Sequence, residues 1–201
     1  MTQKFITAVG AREAPRVILT LMHLLAFHYY RKGYRYRTGN AAGSDYAHQL
    51  GAYDYARTTA GYLKLNPTVI DVYLPKAKFN LHHDLSLART VNIEDHPLKQ
   101  ACYDLVKQVH PAYSKLDGFG RNAHARNALQ VLGDNLDLPS MGVLCWAPID
   151  GDSVLGGTRT AVEIARLYGI KIANLADRDT YLRHLRYLGI SEERLIQLSG
   201  K

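Results

Sequence analysis

Short β-rich runs alternate with longer stretches of helical period along almost the whole chain, and no other feature of the sequence limits the possible folds so strongly. KFITAV (4–9) stops at Gly10 and is followed, past Pro15, by RVILTLMHLLAFHYY, which has helical length and spacing. YRYRT (34–38) follows Gly33 and leads through Gly39 and Gly43 into SDYAHQLGAYDYARTTAGYL, where small and aromatic residues recur at helical intervals. TVIDVYLP (68–75) is a third strand, closed by Pro75. MGVLCWAP (141–148) is apolar without interruption, the pattern of a strand covered on both faces, and IKIANL (170–175) is the last strand. Helices are expected at HPLKQACYDLVKQVH (96–110), with Pro97 near its start, at RNAHARNALQVLG (121–133), and over 156–169. DRDTYLRHLRYLG and SEERLIQL then close the chain with two helices, each opened by an acid or serine suited to capping. The stretch from 76 to 93 has no clear period and holds His82 and His83, so it reads as a covering or functional loop, with room for a short helix; IDGDSVL (149–155) reads as a loop.

Strands separated by helices require long right-handed crossovers, which place helices on both faces of a parallel sheet. The expectation is an α/β fold, a Rossmann-like three-layer α/β/α sandwich with a mainly parallel sheet, forming one domain over 1–201 with a C-terminal helical extension at about 177–201. A composition of 47% hydrophobic and 21% charged residues supplies enough apolar mass for one sizeable core. No window approaches 18 apolar residues, and MTQKFITAVG lacks the pattern of a signal peptide, so a cytoplasmic protein with no membrane partner is expected. Cys102 and Cys145 lie far apart in apolar surroundings without metal-ligand spacing, which reads as two buried, reduced thiols. The formal charge of +7 favours an anionic partner without choosing its class.

Ligands of such sheets bind beyond the carboxyl ends of the strands. Three strand ends here carry glycine turns: Gly10-Ala11-Arg12, then Gly39-Asn40-Ala41-Ala42-Gly43-Ser44-Asp45, then Gly156-Gly157-Thr158-Arg159-Thr160. The first turn of a helix leaves backbone N–H groups unpaired at the positive end of its dipole, and glycines let an anion reach them. Thr158 and Thr160 add hydroxyl donors and Arg159 a charge. Arg12 and Asp45 are the polar groups expected to line the pocket, with Asp45 equally suited to cap a helix.

Together "TAVGAREAP", "RTGNAAGSDYAHQLG", "GFGRNAHARNA" and "GGTRTAVEIARLYGI" resemble the SLOG superfamily of Rossmann-like nucleotide-binding proteins, which includes DprA-like, Lonely guy-like and YspA-like groups. The resemblance spans most of the chain. It implies a nucleotide or phosphoribosyl ligand surrounded by Gly10, Arg12, Gly39, Asn40, Ala42, Gly43, Asp45, Gly156, Gly157, Thr158, Arg159 and Thr160. The R-N pair of the YspA-like branch matches Arg121 and Asn122, or Arg126 with its neighbour. In the Lonely guy-like branch an arginine of this helix and the glutamate of the late turn serve hydrolysis of a nucleotide's N-glycosidic bond, which implies catalytic roles for Arg126 and Glu163. Two positions depart from that pattern: Arg159 replaces the third glycine of the late motif, and Leu155 stands where a proline precedes it.

Three functions follow from these residues. The first is nucleoside 5′-monophosphate N-glycoside hydrolysis, in which the Glu163 carboxylate stabilises an oxocarbenium-like transition state or activates water while Arg126 clamps the phosphate. The second is a sensor or sequestering protein that holds a nucleotide-derived signal without turnover. The third is DprA-like single-stranded DNA binding, with Tyr29, Tyr30, Tyr34 and Tyr36 interleaved among Arg31, Lys32, Arg35 and Arg37. His124, two residues before Arg126, faces elsewhere on its helix and is left out of the catalytic set. His82-His83-Asp84 has no third ligand at a recognisable spacing, so neither metal nor cofactor is expected. Outer helices of such folds often pair, making a homo-oligomer an expectation.

Overall fold

The computed structural model describes residues 3–58 and 69–200. Its centre is a six-stranded sheet built from β1 (Lys4–Gly10), β2 (Tyr34–Thr38), β3 (Ile70–Leu74), β4 (Ala88–Asn92), β5 (Gly142–Trp146) and β8 (Lys171–Asn174), in the spatial order β4-β3-β2-β1-β5-β8. All five pairings are parallel. The expected α/β sandwich is the observed architecture.

Side chains alternate across the strands, so each strand feeds two cores. Ile6, Ala8, Ile70, Val72 and Leu144 face α1 (Arg16–Arg31) and α2 (Ser44–Arg57), whose Leu21, Met22, Leu25 and Tyr53 are fully buried. Val9, Tyr73, Val143 and Cys145 face α3 (Lys99–Val109), α4 (Gly118–Leu132) and α5 (Thr158–Leu167), which contribute Cys102, Val106, Leu129 and Ile164. Both cysteines are free and buried, and burial pushes each thiol up to about 12. The last helices, α6 (Arg178–Leu188) and α7 (Glu192–Ser199), start at caps where Asp177 accepts from Thr180 N at 2.7 Å and Ser191 from Arg194 N at 3.2 Å. Their Tyr181, Leu185 and Leu195 complete the α1 core.

Two segments differ from the sequence reading. Within 76–93, Ala88–Asn92 forms the edge strand β4 beside β3, and Ile93–Asp95 follows as a single 3-10 turn. An edge strand buries little, and ARTVN is half-buried except at the exposed Thr90, so it lacks the apolar signal of an inner strand. Within 149–155, β6 (Ile149–Asp150) and β7 (Ser153–Val154) pair as a small antiparallel hairpin turned at Gly151, whose φ is +56°. The helix expected over 44–63 ends at Arg57, because Thr58 is an extended cap; residues 59–63 lie outside the described residues, as does Thr68 of the expected third strand. Among the described residues, no helix is long and apolar enough to cross a membrane.

Candidate functional site

The chain leaves β1 toward β2 on one side and later returns to β5 on the other, so the sheet's topological switch point lies between β1 and β5. Their carboxyl ends meet at the Gly10–Trp146 pair, tied by the Ala11 N–H donating to Trp146 O at 2.9 Å. A cleft of about 300 Å³ opens there, lined by Gly10, Arg12, Glu13, Asp45, His124, Arg126, Asn127, Leu155, Gly156, Gly157 and Thr158, among others.

The glycines around this cleft have two different reasons to be glycine. A Cβ on Gly10 would collide with the Ser44 side chain and stand 2.8 Å from Trp146 O; one on Gly39 would stand 2.6 Å from Arg126 Cζ. Gly43 combines a φ of +76° with the backbone of Arg12 against it. These three let the first two turns and Arg126 interlock, and Ser44 Oγ completes the joint by donating to Ala11 O at 2.9 Å. At Gly156 and Gly157, by contrast, nothing lies within 4 Å of a Cβ position, although Gly156, at φ +75°, also has a left-handed backbone that favours glycine. The N-terminus of α5 is therefore bare backbone facing the cleft, with Thr158 behind it.

Arg126 extends from α4 across the floor. It donates to Gly39 O and, at 3.2 Å, to Tyr73 O, and its guanidinium lies 3.9 Å from Asp45 Oδ2. Burial draws the Arg126 pKa down, the Asp45 charge draws it up, and Arg12 adds repulsion. Asp45 is 3% exposed and accepts from Ala41 N at 3.2 Å. Burial outweighs Arg126 and the amides around it, raising its carboxyl to about 6. That bond from Ala41 reaches back into the turn before α2, whose N-cap is Gly43 without a side-chain cap, so Asp45 does not take the expected capping role: it ties the Gly39–Gly43 turn and lines the cleft.

The cleft thus gathers Gly10, Arg12, Asp45, Arg126, Gly156, Gly157 and Thr158 from the residues expected by sequence. Others lie elsewhere. Asn40 is fully buried with φ +58°, and its amide binds the 76–87 loop by donating to Phe79 O at 2.9 Å and meeting His83 Nδ1 at 3.0 Å. Ala42 is exposed outside the lining. Arg121 lies over the Tyr113 ring at 5.5 Å and Asn122 accepts from Tyr103 Oη, so that R-N pair faces α3 and the turn after it. Thr160 is buried and bonded to His124.

Glu163 and Arg126, assigned one catalytic centre by the resemblance, line separate clefts. Glu163 shares a second, more open hollow of about 680 Å³ with Arg159, Asp150, Asp152 and Arg166. Its carboxylate accepts from Ser153 Oγ and from Arg166 at 2.9 Å, while Arg166 also donates to Asp152 O. The reason is helical geometry: six residues beyond Gly157, at 100° each, a side chain points about 120° away from it around α5.

The sequence reading missed His124 and Asn127. Ala123, His124, Arg126 and Asn127 all line the cleft, an arc approaching half the circumference of α4. His124 Nδ1 is 2.7 Å from Thr160 Oγ1, and burial, His110 and Arg126 together lower its pKa to about 4, so the ring stays neutral. Asn127 Nδ2 reaches Gly157 O at 3.4 Å and so braces the start of α5. Neither carries a sequence signal that separates it from the other polar residues of an outer helix. Among the described residues, no three His, Cys, Asp or Glu side chains group as a metal site. No protein-family model, curated protein or solved structure matches this chain.

Proposed function

We propose that this protein binds a nucleotide or nucleotide-derived ligand in the switch-point cleft and holds it without cleaving it. The observation that carries the reading is the open N-terminus of α5: unobstructed backbone at Gly156 and Gly157, facing the same cleft as Arg12 and Arg126. Unpaired N–H groups at a helix start, with two guanidiniums nearby, suit a phosphate. The likeness of the three glycine turns to the SLOG pattern supports the same ligand class. Binding without turnover is favoured over N-glycoside hydrolysis by Glu163, whose carboxylate is engaged with Ser153 and Arg166 in the other hollow.

The test is incubation with nucleoside mono-, di- and triphosphates, NAD and ADP-ribose, reading thermal stabilisation and product masses together. Stabilisation with the ligand recovered intact is expected, since a ligand that binds only the folded state raises stability by mass action. Release of free base at a rate proportional to protein concentration overturns the non-catalytic reading, and no stabilisation by any of these ligands overturns the ligand class.

A further inference from the structure

The face of α4 that lines the cleft continues beyond it to an exposed aromatic ring. Ala123, Arg126 and Asn127 line the cleft, and Phe119 sits four, seven and eight residues before them on the same stripe. Phe119 is 42% exposed, and the Lys76 ammonium rests over its ring, 5.4 Å from the centroid. Beneath it the Phe79 ring centroid is 6.2 Å away, and the Arg126 guanidinium lies 5.2 Å from the Phe79 centroid. An exposed phenylalanine alone needs no explanation. This one stands at the end of the stripe that lines the cleft, with a cation already using its π face.

We propose that Phe119 is the platform on which a planar heterocyclic base of the ligand stacks, an assignment that rests on the nucleotide reading above. Asn127 touches Gly157 and so marks the phosphate end. From there to Phe119 is eight residues of helix, about 12 Å of rise, a span comparable to that of a nucleoside monophosphate. The ligand lies along α4, with phosphate at the start of α5, ribose over Ala123 and base on Phe119. Base and ammonium both use the electron-rich ring face, so Lys76 moves aside on its flexible stem when the base arrives.

Two probes separate this inference from its premise: adenosine 5′-monophosphate, and ribose 5-phosphate, which has no base. Both are titrated into the wild type, Phe119→Ala and Phe119→Tyr. Expected are an affinity for the nucleotide about tenfold lower in Phe119→Ala, as loss of one stacking contact gives, retention of affinity in Phe119→Tyr, and no change for ribose 5-phosphate. Equal nucleotide affinity in the wild type and Phe119→Ala overturns the platform while leaving the phosphate site standing, and so does a parallel loss of both probes. Failure of the wild type to bind either probe overturns the platform, whereas the nucleotide reading falls only when the di- and triphosphates, NAD and ADP-ribose also fail to stabilise the protein.

Discussion

At the scale of single residues, the glycines divide into those the fold needs and those the site needs. Gly10→Ala sets a methyl against the Ser44 side chain and Trp146 O in a joint with no slack, and an overpacked contact of that kind costs about 1–3 kcal/mol. Gly157 has φ −64° and ψ −22°, which any residue adopts, and open space beyond it. Gly157→Ala should therefore leave the urea midpoint unchanged or slightly higher while lowering affinity for a phosphate ligand by about tenfold or more, the worth of one hydrogen bond to a charged group. A Gly157→Ala protein that binds as the wild type does would move the phosphate away from α5. All these glycines were visible in the sequence, yet their two reasons were not, because whether a Cβ meets Ser44 or solvent depends on elements distant along the chain. Asp45 gives a second test at this scale. Burial raises its carboxyl from 3.8 to about 6, so between those values the folded protein keeps a proton that the unfolded chain releases, and stability falls as pH rises through the window. Asp45→Asn cannot titrate. Unfolding by urea at pH 4 and pH 7 should show the wild type losing stability relative to the variant, and a relative gain would mean that Arg126 stabilises an ionised carboxylate.

At the scale of elements, Glu163 is a fastener for the β6–β7 hairpin. Its bond from Ser153 and its bridge to Arg166, which in turn holds Asp152 O, join the hairpin to the outer face of α5. Glu163→Ala is expected to accelerate amide exchange over 149–155 and to leave nucleotide affinity within about twofold, as for a site with which it shares no partner. A tenfold loss of affinity would place this carboxylate in the ligand site after all. The sequence disclosed the inner strands because they are short β-rich runs set off by glycine or proline, and it disclosed α5 because Val162, Ile164 and Ala165 repeat at helical spacing. It hid β4, where Arg89 and Asn92 interrupt any apolar pattern. Arg89 is accommodated there by Asp71 at 3.0 Å and Asp134 at 2.8 Å, partners from β3 and from the turn after α4. Pairing across that distance is tertiary information, as is the rotation of α5 that carries Glu163 away from Arg126.

At the scale of the whole molecule, the tyrosine–arginine run at 29–37 and the cleft occupy opposite ends of the sheet, because Tyr34 begins β2 while the cleft lies beyond the strands' carboxyl ends. Much of the run is also committed to the protein itself. Tyr36 is fully buried, Tyr29 stacks on Tyr187 with centroids 5.2 Å apart, and Tyr30 meets the edge of Tyr55 at 5.5 Å. Arg37 is 2% exposed and donates to Leu138 O at 2.7 Å, and Arg35 pairs with Asp71 at 3.2 Å. A single-strand groove needs free ring faces and a file of free cations to follow successive phosphates. A cleft of about 300 Å³ with two arginines at its rim and floor suits one short anionic ligand instead. The two cases separate by salt. Each phosphate neutralised on a single strand contributes about −0.7 to the slope of log K against log salt, so an oligothymidylate tracking several cations gives a slope of several. Titrations of a mononucleotide and of an oligothymidylate across a range of potassium chloride should give a slope near or below about one for both and no tighter binding of the longer ligand. A steep slope confined to the oligomer would instead assign the positive charge of this protein to nucleic acid.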